Sequence, residues 1–304
     1  MKPTIDRIWG AALFCLGSLL VVSAQQPVTE QSGEAQQRTM ETTETKNLRY
    51  AVPLQVTQGA GRQPFLIKKK FFNLSLRETG TYTDNVFSLD TFKRGDFYNS
   101  LELGAGGSLT MFRNWTVSLR LGIRDFRYQR FGTLDFDSAF YSGTVNYNWK
   151  EWNAYGTVEH SDLYRRNFGD HFFQEDDGTL GLYWSHALGP RALMYLGGQY
   201  SRQWAHPESA SKNLPTFYGG LITVPWEQLP KLRLTFAGSY SYADFIVSNR
   251  VDDRYNLGVD VSYEFYPWLT VGMGAGGSFG ESNQKEFDFS SFSNSATLKM
   301  NYQF

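Results

Sequence analysis

The segment "EHSDL" brings together residue types that could hydrolyse an ester, with His160, Ser161 and Asp162 in a row. A serine nucleophile needs a histidine within hydrogen-bond reach and a third polar group that orients the histidine. The flanking sequence alternates polar and apolar residues, which predicts a strand, and neighbouring side chains of a strand leave opposite faces. His160 therefore shares a face with Asp162 and not with Ser161, and Ser185 and His186 fail in the same way. We expect no enzymatic activity.

Two other constellations are also incomplete. An outer-rim protease of the omptin type needs a His–Asp pair and an acidic pair, and His171 with Asp176 and Asp177 supplies only part of this set. The connections between predicted strands are acid-rich, and Glu175, Asp176 and Asp177 are predicted to lie in one of them, but none has the ligand spacing of a calcium loop. The run "GMGAGG" has no helix after it, so it is not a nucleotide-binding loop. The sequence predicts no metal site and no cofactor.

The dominant pattern is alternation with a period of two. In "YNLGVDVSYEF" the apolar residues from Tyr255 to Phe265 share one face, and "WTVSLRLGI" from Trp115 repeats the scheme. The opposite faces carry small polar residues, glycines and charges of both signs, which would be costly in a dry core. We therefore expect the apolar face to contact lipid and the polar face to line water. The predicted lumen-lining residues, which are candidates for ion selectivity, are Arg77, Glu102, Arg120, Arg124, Glu159, Arg233, Asp260, Glu264 and Lys299.

Short turn signals recur along the chain at a spacing of about 38 residues, the kind of fixed period that marks a repeat architecture. They lie at 113–114, 150–151, 189–191, 228–231 and 267–268, and longer polar connections lie between them. Each repeat reads as two strands, which gives six hairpins from residue 70 to residue 304. The prediction is an all-β fold, a transmembrane antiparallel up-and-down β-barrel of about 12 strands with short periplasmic turns and long outer loops.

Five of the eight tryptophans lie beside the predicted short turns. Aromatic rings collect at membrane interfaces because the ring prefers the apolar side and the polar N–H prefers water. We therefore predict a membrane-interface girdle at the periplasmic end of the barrel. Its members are Trp115, Trp149, Trp152, Trp226 and Trp268.

The N-terminal residues read as an export signal. Lys2 and Arg7 precede a short apolar run that contains Cys15, the single cysteine, and small residues follow up to Ala24. This pattern predicts a signal peptide at 1–24 that is cleaved after Ala24. Residues 25–69 are polar and are predicted to be a largely disordered periplasmic segment, with the barrel at 70–304. The formal net charge of −1 excludes a strong electrostatic case for nucleic acid.

The final stretch "SATLKMNYQF" resembles the C-terminal assembly signal of Gram-negative outer-membrane barrels. This resemblance implies that Met300, Tyr302 and Phe304 are recognised by the barrel assembly machinery. The stretch "RETGTYTDNVF" loosely resembles the start of uncharacterised β-barrel porins, some of them linked to exopolysaccharide systems, with Gly80 and Thr81 as additional residues. The implied environment is the bacterial cell outer membrane, with its lipids and lipopolysaccharide as partners.

Two functions remain open at this stage. The first is a porin-like channel for passive diffusion of small hydrophilic solutes or ions, because small inner residues leave lumen volume free and rings of charge can set ion selectivity. The alternative is a structural, adhesion or exopolysaccharide-system barrel without an open pore. An outer-membrane hydrolase is the third hypothesis, and it ranks below the other two. Mixed charge signs predict weak selectivity or an internal network of ion pairs.

Overall fold

The computed structural model describes residues 72–87, 93–111 and 114–304. The predicted signal peptide at 1–24, the segment 25–69 and the first residues of the predicted barrel lie outside these ranges. Within the described ranges twelve strands follow one another, and three of the connections contain a single 3-10 turn. The strands are β1 (Phe72–Thr83), β2 (Asp96–Met111), β3 (Trp115–Tyr128), β4 (Phe136–Trp149), β5 (Trp152–Arg165), β6 (His171–Gly189), β7 (Ala192–His206), β8 (Lys212–Thr223), β9 (Leu232–Phe245), β10 (Val251–Tyr266), β11 (Leu269–Ser282) and β12 (Phe289–Gln303).

The strands form one closed antiparallel barrel, which confirms the predicted fold class and strand number. Each strand pairs with its neighbours in sequence, and β1 closes the ring by pairing with β12 from Asn73 opposite Gln303 to Thr83 opposite Ser293. Closure leaves no sheet edge exposed, as a membrane-spanning sheet requires. No helix within the described ranges is long and apolar enough to span a membrane.

The two ends of the barrel differ, and they are named here the turn end and the loop end. At the turn end four of the five connections have two or three residues, as at 150–151 between β4 and β5, and the fifth, 224–231, has eight. The six loop-end connections have from five residues, as at 166–170, to twelve at 84–95, so most of the predicted long outer loops are short. The strands extend further into the loop end than the sequence pattern indicated, so Glu175, Asp176 and Asp177 lie within β6 and not in a loop. These residues pair with Ser161, His160 and Glu159 of β5 although they are polar, so polarity alone did not separate strand from loop.

Contacts between strands that are not neighbours identify the inner face. Arg124 on β3 reaches Glu159 on β5, with 3.9 Å between Nη2 and Oε1, although β4 lies between the two strands. Tyr155 on β5 contacts the hydroxyl of Tyr218 on β8 at 3.3 Å, three strands away. Such contacts can form only across the interior of the barrel. Because side chains alternate along each strand, the strand pairing then assigns every other residue to a face.

The inner face is packed in the loop-end half of the barrel. Inner side chains of β2 to β7 form a buried apolar cluster with residues of the loops, built around Phe126, Phe136 and Leu163. On the far side the Arg250 guanidinium lies 3.7 Å from the ring centroid of Phe245 and makes an ion pair with Asp252. In the same half of β12 the inner residues are Phe289, Ser291, Ser293 and Ser295, and all four stay half-buried. The lumen at the loop end is therefore narrowed mainly by the inner side chains of the other strands.

Candidate channel lining

Four cationic side chains lie on the inner face of adjacent strands, and they are named here the cationic sector: Arg77 on β1, Arg120 and Arg124 on β3, and Lys299 on β12. Arg77 and Lys299 stand directly opposite each other across the β1–β12 pair. Glu102 on β2 lies between them and β3, and it accepts hydrogen bonds from Arg120 and from Nε of Arg124, the latter at 3.2 Å. The sequence predicted each of these five residues to line the lumen, and the structure brings them together.

Cations outnumber carboxylates in this sector. Apart from Glu102, the described inner face of β12, β1, β2 and β3 carries one other carboxylate, Asp96, at the loop end of β2. Asp96 accepts hydrogen bonds from the backbone N–H groups of Phe97, Arg130 and Phe131, and it thereby stabilises the connection between β3 and β4. The charge of Glu102 offsets one cation, and the sector keeps a positive balance.

The sector is also open to solvent at its turn end. The Arg120 side chain is 37% exposed although it points into the barrel. The side chain of Arg124, four residues nearer the loop end of β3, is 5% exposed. Both guanidinium groups lie over the ring of Phe140, at 5.0 and 4.0 Å from its centroid. This contact orients the two side chains, since a guanidinium is attracted to an aromatic face.

The remaining predicted lumen charges lie on other strands. Arg233 on β9 and Glu264 on β10 approach to 3.6 Å, and both side chains are about one-third exposed. The Asp260 carboxylate lies against β11 in the space left by Gly274, where a Cβ would clash with Oδ1 of Asp260. Glu159 faces the cationic sector through Arg124. The mixed signs predicted from the sequence are therefore partly sorted by strand.

Opposite the cationic sector the inner face is lined by tyrosines, named here the tyrosine sector: Tyr155, Tyr183, Tyr195 and Tyr218 on β5 to β8. The Tyr155 hydroxyl donates to Gln199 Oε1 at 2.6 Å. The rings lie against the wall because the positions beneath them are glycines: a Cβ on Gly197 would come within 2.6 Å of the Tyr218 ring. β1 and β7 are six strands apart in the ring of twelve, so the two sectors face each other. Sequence reasoning missed this sector, although inner-face tyrosines alternating with glycines were the available signal.

The residues considered for hydrolysis lie on the outer face. His160 contacts Asp176 through Nδ1 at 2.8 Å and Asp162 through Nε2 at 3.2 Å, and Asp162 also contacts His171 at 3.0 Å. The ring stacked on His160 is Tyr141, and Ser161 lies on the inner face, as the alternation predicted. The described residues hold no group of three or more ligand side chains placed to bind a metal.

Aromatic residues surround the turn end. The five tryptophans predicted as a girdle are all exposed, and each lies at or beside a turn-end connection. Trp184, which is not among the predicted girdle residues, lies at the same end, and its Nε1 donates to Glu151 Oε2 at 2.8 Å. The hydrogen bond from His186, followed by that from Trp184, holds the pKa of Glu151 below its ordinary value. The girdle itself stays a prediction.

Of the predicted assembly residues, Met300 and Tyr302 lie on the outer face of β12, and Phe304 follows its last residue. Met300 and Tyr302 pair with Leu76 and Leu74 of β1 across the closing seam. The backbone N–H of Phe304 donates to the carbonyl of Phe72 at 3.0 Å. Their recognition by an assembly machinery stays a prediction.

No protein-family model matches the chain, and no curated protein matches it. Solved structures do match its fold. The COG4313 outer membrane channel from Pseudomonas putida F1 aligns with a TM-score of 0.54 at 11% identity, covering 79% of this chain and 100% of the channel. The β domain of the Bordetella autotransporter BrkA aligns with a TM-score of 0.50 at 9% identity, covering 77% and 100%. At these identities the likeness concerns the fold, which is that of outer-membrane β-barrels.

Proposed function

We propose that the protein is an outer-membrane, porin-like channel that lets small hydrophilic solutes or ions diffuse passively. The observation that carries the proposal is the solvent-exposed, charged inner face at the turn end, where Arg120, Arg233 and Glu264 point into a closed barrel and remain about one-third exposed. Lipid would contact the outer face, where Leu119, Leu180 and Leu257 are more than 60% exposed. In this orientation the turn end faces the periplasm and the loop end faces outward.

The passage proposed through the loop-end half runs along β12. The inner side chains on the other strands are mostly buried there, for example Ser161 and Phe126, whereas Ser291, Ser293 and Ser295 stay half-buried. Serine side chains are short and hydrogen-bond with water, so they suit the wall of a narrow aqueous path. A path confined to one side of the lumen would admit only small solutes.

The packed loop-end half favours a second candidate, a structural or adhesion barrel without an open pore. Phe126, Phe136 and Leu163 are almost fully buried at this end, and no solute could cross this part of the lumen without displacing them. In this alternative the loops would supply the function, and the turn-end half of the lumen would be a closed cup.

A single-cysteine experiment separates the two candidates. Residues 25–304 contain no cysteine, so Ser293→Cys provides a unique thiol beside the proposed path. The refolded variant is recorded in a planar bilayer before and after a charged methanethiosulfonate reagent is added. For a channel we expect discrete current steps that shrink after modification. Ser161→Cys, at a position 4% exposed on the packed side, is the matched control and should show no change.

The outcomes differ for the two candidates. A folded barrel that shows no current steps in either variant would refute the channel and leave the structural barrel. Steps that shrink equally in both variants would place the path elsewhere in the lumen. Folding is checked independently by the heat-dependent migration of the barrel in a denaturing gel.

A further inference from the structure

We infer that the turn-end half of the lumen is an anion-selective site, and that the solutes it selects are small organic anions rich in hydroxyl groups. The inference rests on the proposed channel function and adds its selectivity. It follows from how the two sectors face each other, since a charged wall and an aromatic wall together recognise a narrower class of solute than either wall alone.

The cationic sector supplies the charge selection. Glu102 is the one carboxylate at this level on the strands of the cationic sector, and Glu159 of β5 approaches Arg124 to 3.9 Å. The four cations of the sector therefore face two carboxylates and keep a positive balance. Guanidinium groups bind carboxylate and phosphate oxygens through paired N–H donors, which suits an organic anion better than a bare point charge would. In water, a cation about 5 Å from a permeating anion raises the local concentration of that anion roughly fourfold before screening.

The tyrosine sector supplies the second wall. Between Thr179 and Ala187 of β6, and over the facing parts of β7 and β8, the inner residues are uncharged. Each tyrosine offers an apolar ring together with a hydroxyl that can donate and accept hydrogen bonds. A solute with C–H faces and hydroxyl groups can contact this wall while its carboxylate faces the arginines.

The arrangement of the tyrosines leaves room for a solute. The Tyr218 ring packs over Gly197, which has no side chain to push it inward, and the Cβ of Tyr183 flanks the same glycine. The Tyr155 hydroxyl is held by Gln199 and lies 3.3 Å from that of Tyr218, so the hydroxyls are already positioned by one another. A wall that is ordered before the solute arrives loses less conformational entropy on binding.

The first arm of the test measures charge selection. The reversal potential of the refolded barrel, residues 25–304, is recorded across a gradient of potassium chloride and then of potassium glucuronate. We expect the anion to be more permeant than potassium in both salts. Arg77→Gln together with Lys299→Gln should lower the anion-to-cation permeability ratio by about fourfold or more. Lys285→Gln removes a cation from an exposed loop, 80% exposed, and should leave the ratio unchanged.

The second arm measures recognition of the solute. Glucuronate added to a chloride solution should reduce the single-channel current more than glucose does, because the two molecules differ by the carboxylate. Tyr183→Leu with Tyr218→Leu should weaken the block by glucuronate while leaving the chloride-to-potassium ratio in place. If the variant of the first arm, Arg77→Gln with Lys299→Gln, does not refold, the permeability ratio is measured with Lys299→Gln alone.

The results distinguish this inference from the channel proposal. Current steps with a ratio at or below one, or with a ratio that the double charge variant does not lower, would overturn anion selection while the channel stands. Equal block by glucose and glucuronate would overturn recognition of the carboxylate. A folded barrel without current steps would overturn both.

Discussion

An arginine placed on the lipid face tests the assignment of the two faces at a defined depth. Leu119 on β3 is 67% exposed and lies four residues from Trp115 at the turn end. A strand tilted by about 40° rises roughly 2.5 Å per residue along the barrel axis, so a 25 Å apolar band spans about ten residues. Counted from Trp115, the midplane falls about five residues along, next to Leu119.

The expected cost of Leu119→Arg is therefore the midplane value, about 2–4 kcal/mol of folding free energy. Leu257 on β10 is also exposed, at 62%, but lies nine residues from Tyr266, which ends the strand. That distance places Leu257 about 10 Å beyond the midplane, where the same change should cost about 0–1 kcal/mol. Ser118→Arg, one residue from Leu119, points into the lumen and should avoid the lipid penalty.

The free energy of unfolding is measured by urea titration of each variant refolded into lipid vesicles, followed by tryptophan fluorescence. The expected order of stability loss is Leu119→Arg first, with Leu257→Arg and Ser118→Arg well below it. A loss for Ser118→Arg larger than that for Leu119→Arg would mean that the two faces are reversed. Equal losses for Leu119→Arg and Leu257→Arg would refute the depth calculation.

Three further predictions concern packing, closure and charge. Gly197→Ala forces a Cβ to 2.6 Å from the Tyr218 ring and should lower unfolding free energy by about 1–3 kcal/mol in the same titration. Phe304→Ser removes an exposed ring beside the closing seam and should reduce the amount of folded barrel in outer-membrane fractions of expressing cells. Glu102→Gln removes the carboxylate that offsets the cationic sector, so reversal potentials should show increased anion preference with reduced stability, because the side chain is buried.

Each of these predictions has a control. Gly143→Ala meets its nearest atom at 3.5 Å, an ordinary contact, and should be tolerated, so a similar loss there would remove the packing argument. For Phe304, normal assembly of the serine variant would remove the role assigned to the terminal ring. An unchanged or lower anion preference in Glu102→Gln would contradict the assigned charge balance.

The strand faces and the strand number were predictable because the period of two persists over long segments. Along β3, for example, successive residues alternate without exception between the inner face, which carries Arg120, and the outer face, which carries Leu121. Contacts that skip strands were not predictable, because they depend on the register of several pairs at once. The approach of Arg124 to Glu159 and of Tyr155 to Tyr218 belongs to this class.

The outer His–Asp cluster shows the same limit. The sequence placed His160 and Asp162 on one face correctly, but it could not bring Asp176 to them. Asp176 was assigned to a loop because it lies in an acidic run, and only the long β6 strand pairs it with His160. At the loop end, polarity reports exposure to water and does not report whether the backbone is in a strand.

The closing seam also constrains the order of folding. Asn73 and Asn301 approach each other across the β1–β12 pair although 228 positions separate them in sequence. Loop closure over such a separation has a large entropic cost, and contacts of this kind slow folding. Until β12 docks, a sheet of eleven paired strands would keep an unpaired edge, which is a template for aggregation. The step that joins the ends of the sheet is therefore the point in folding at which the chain most needs protection.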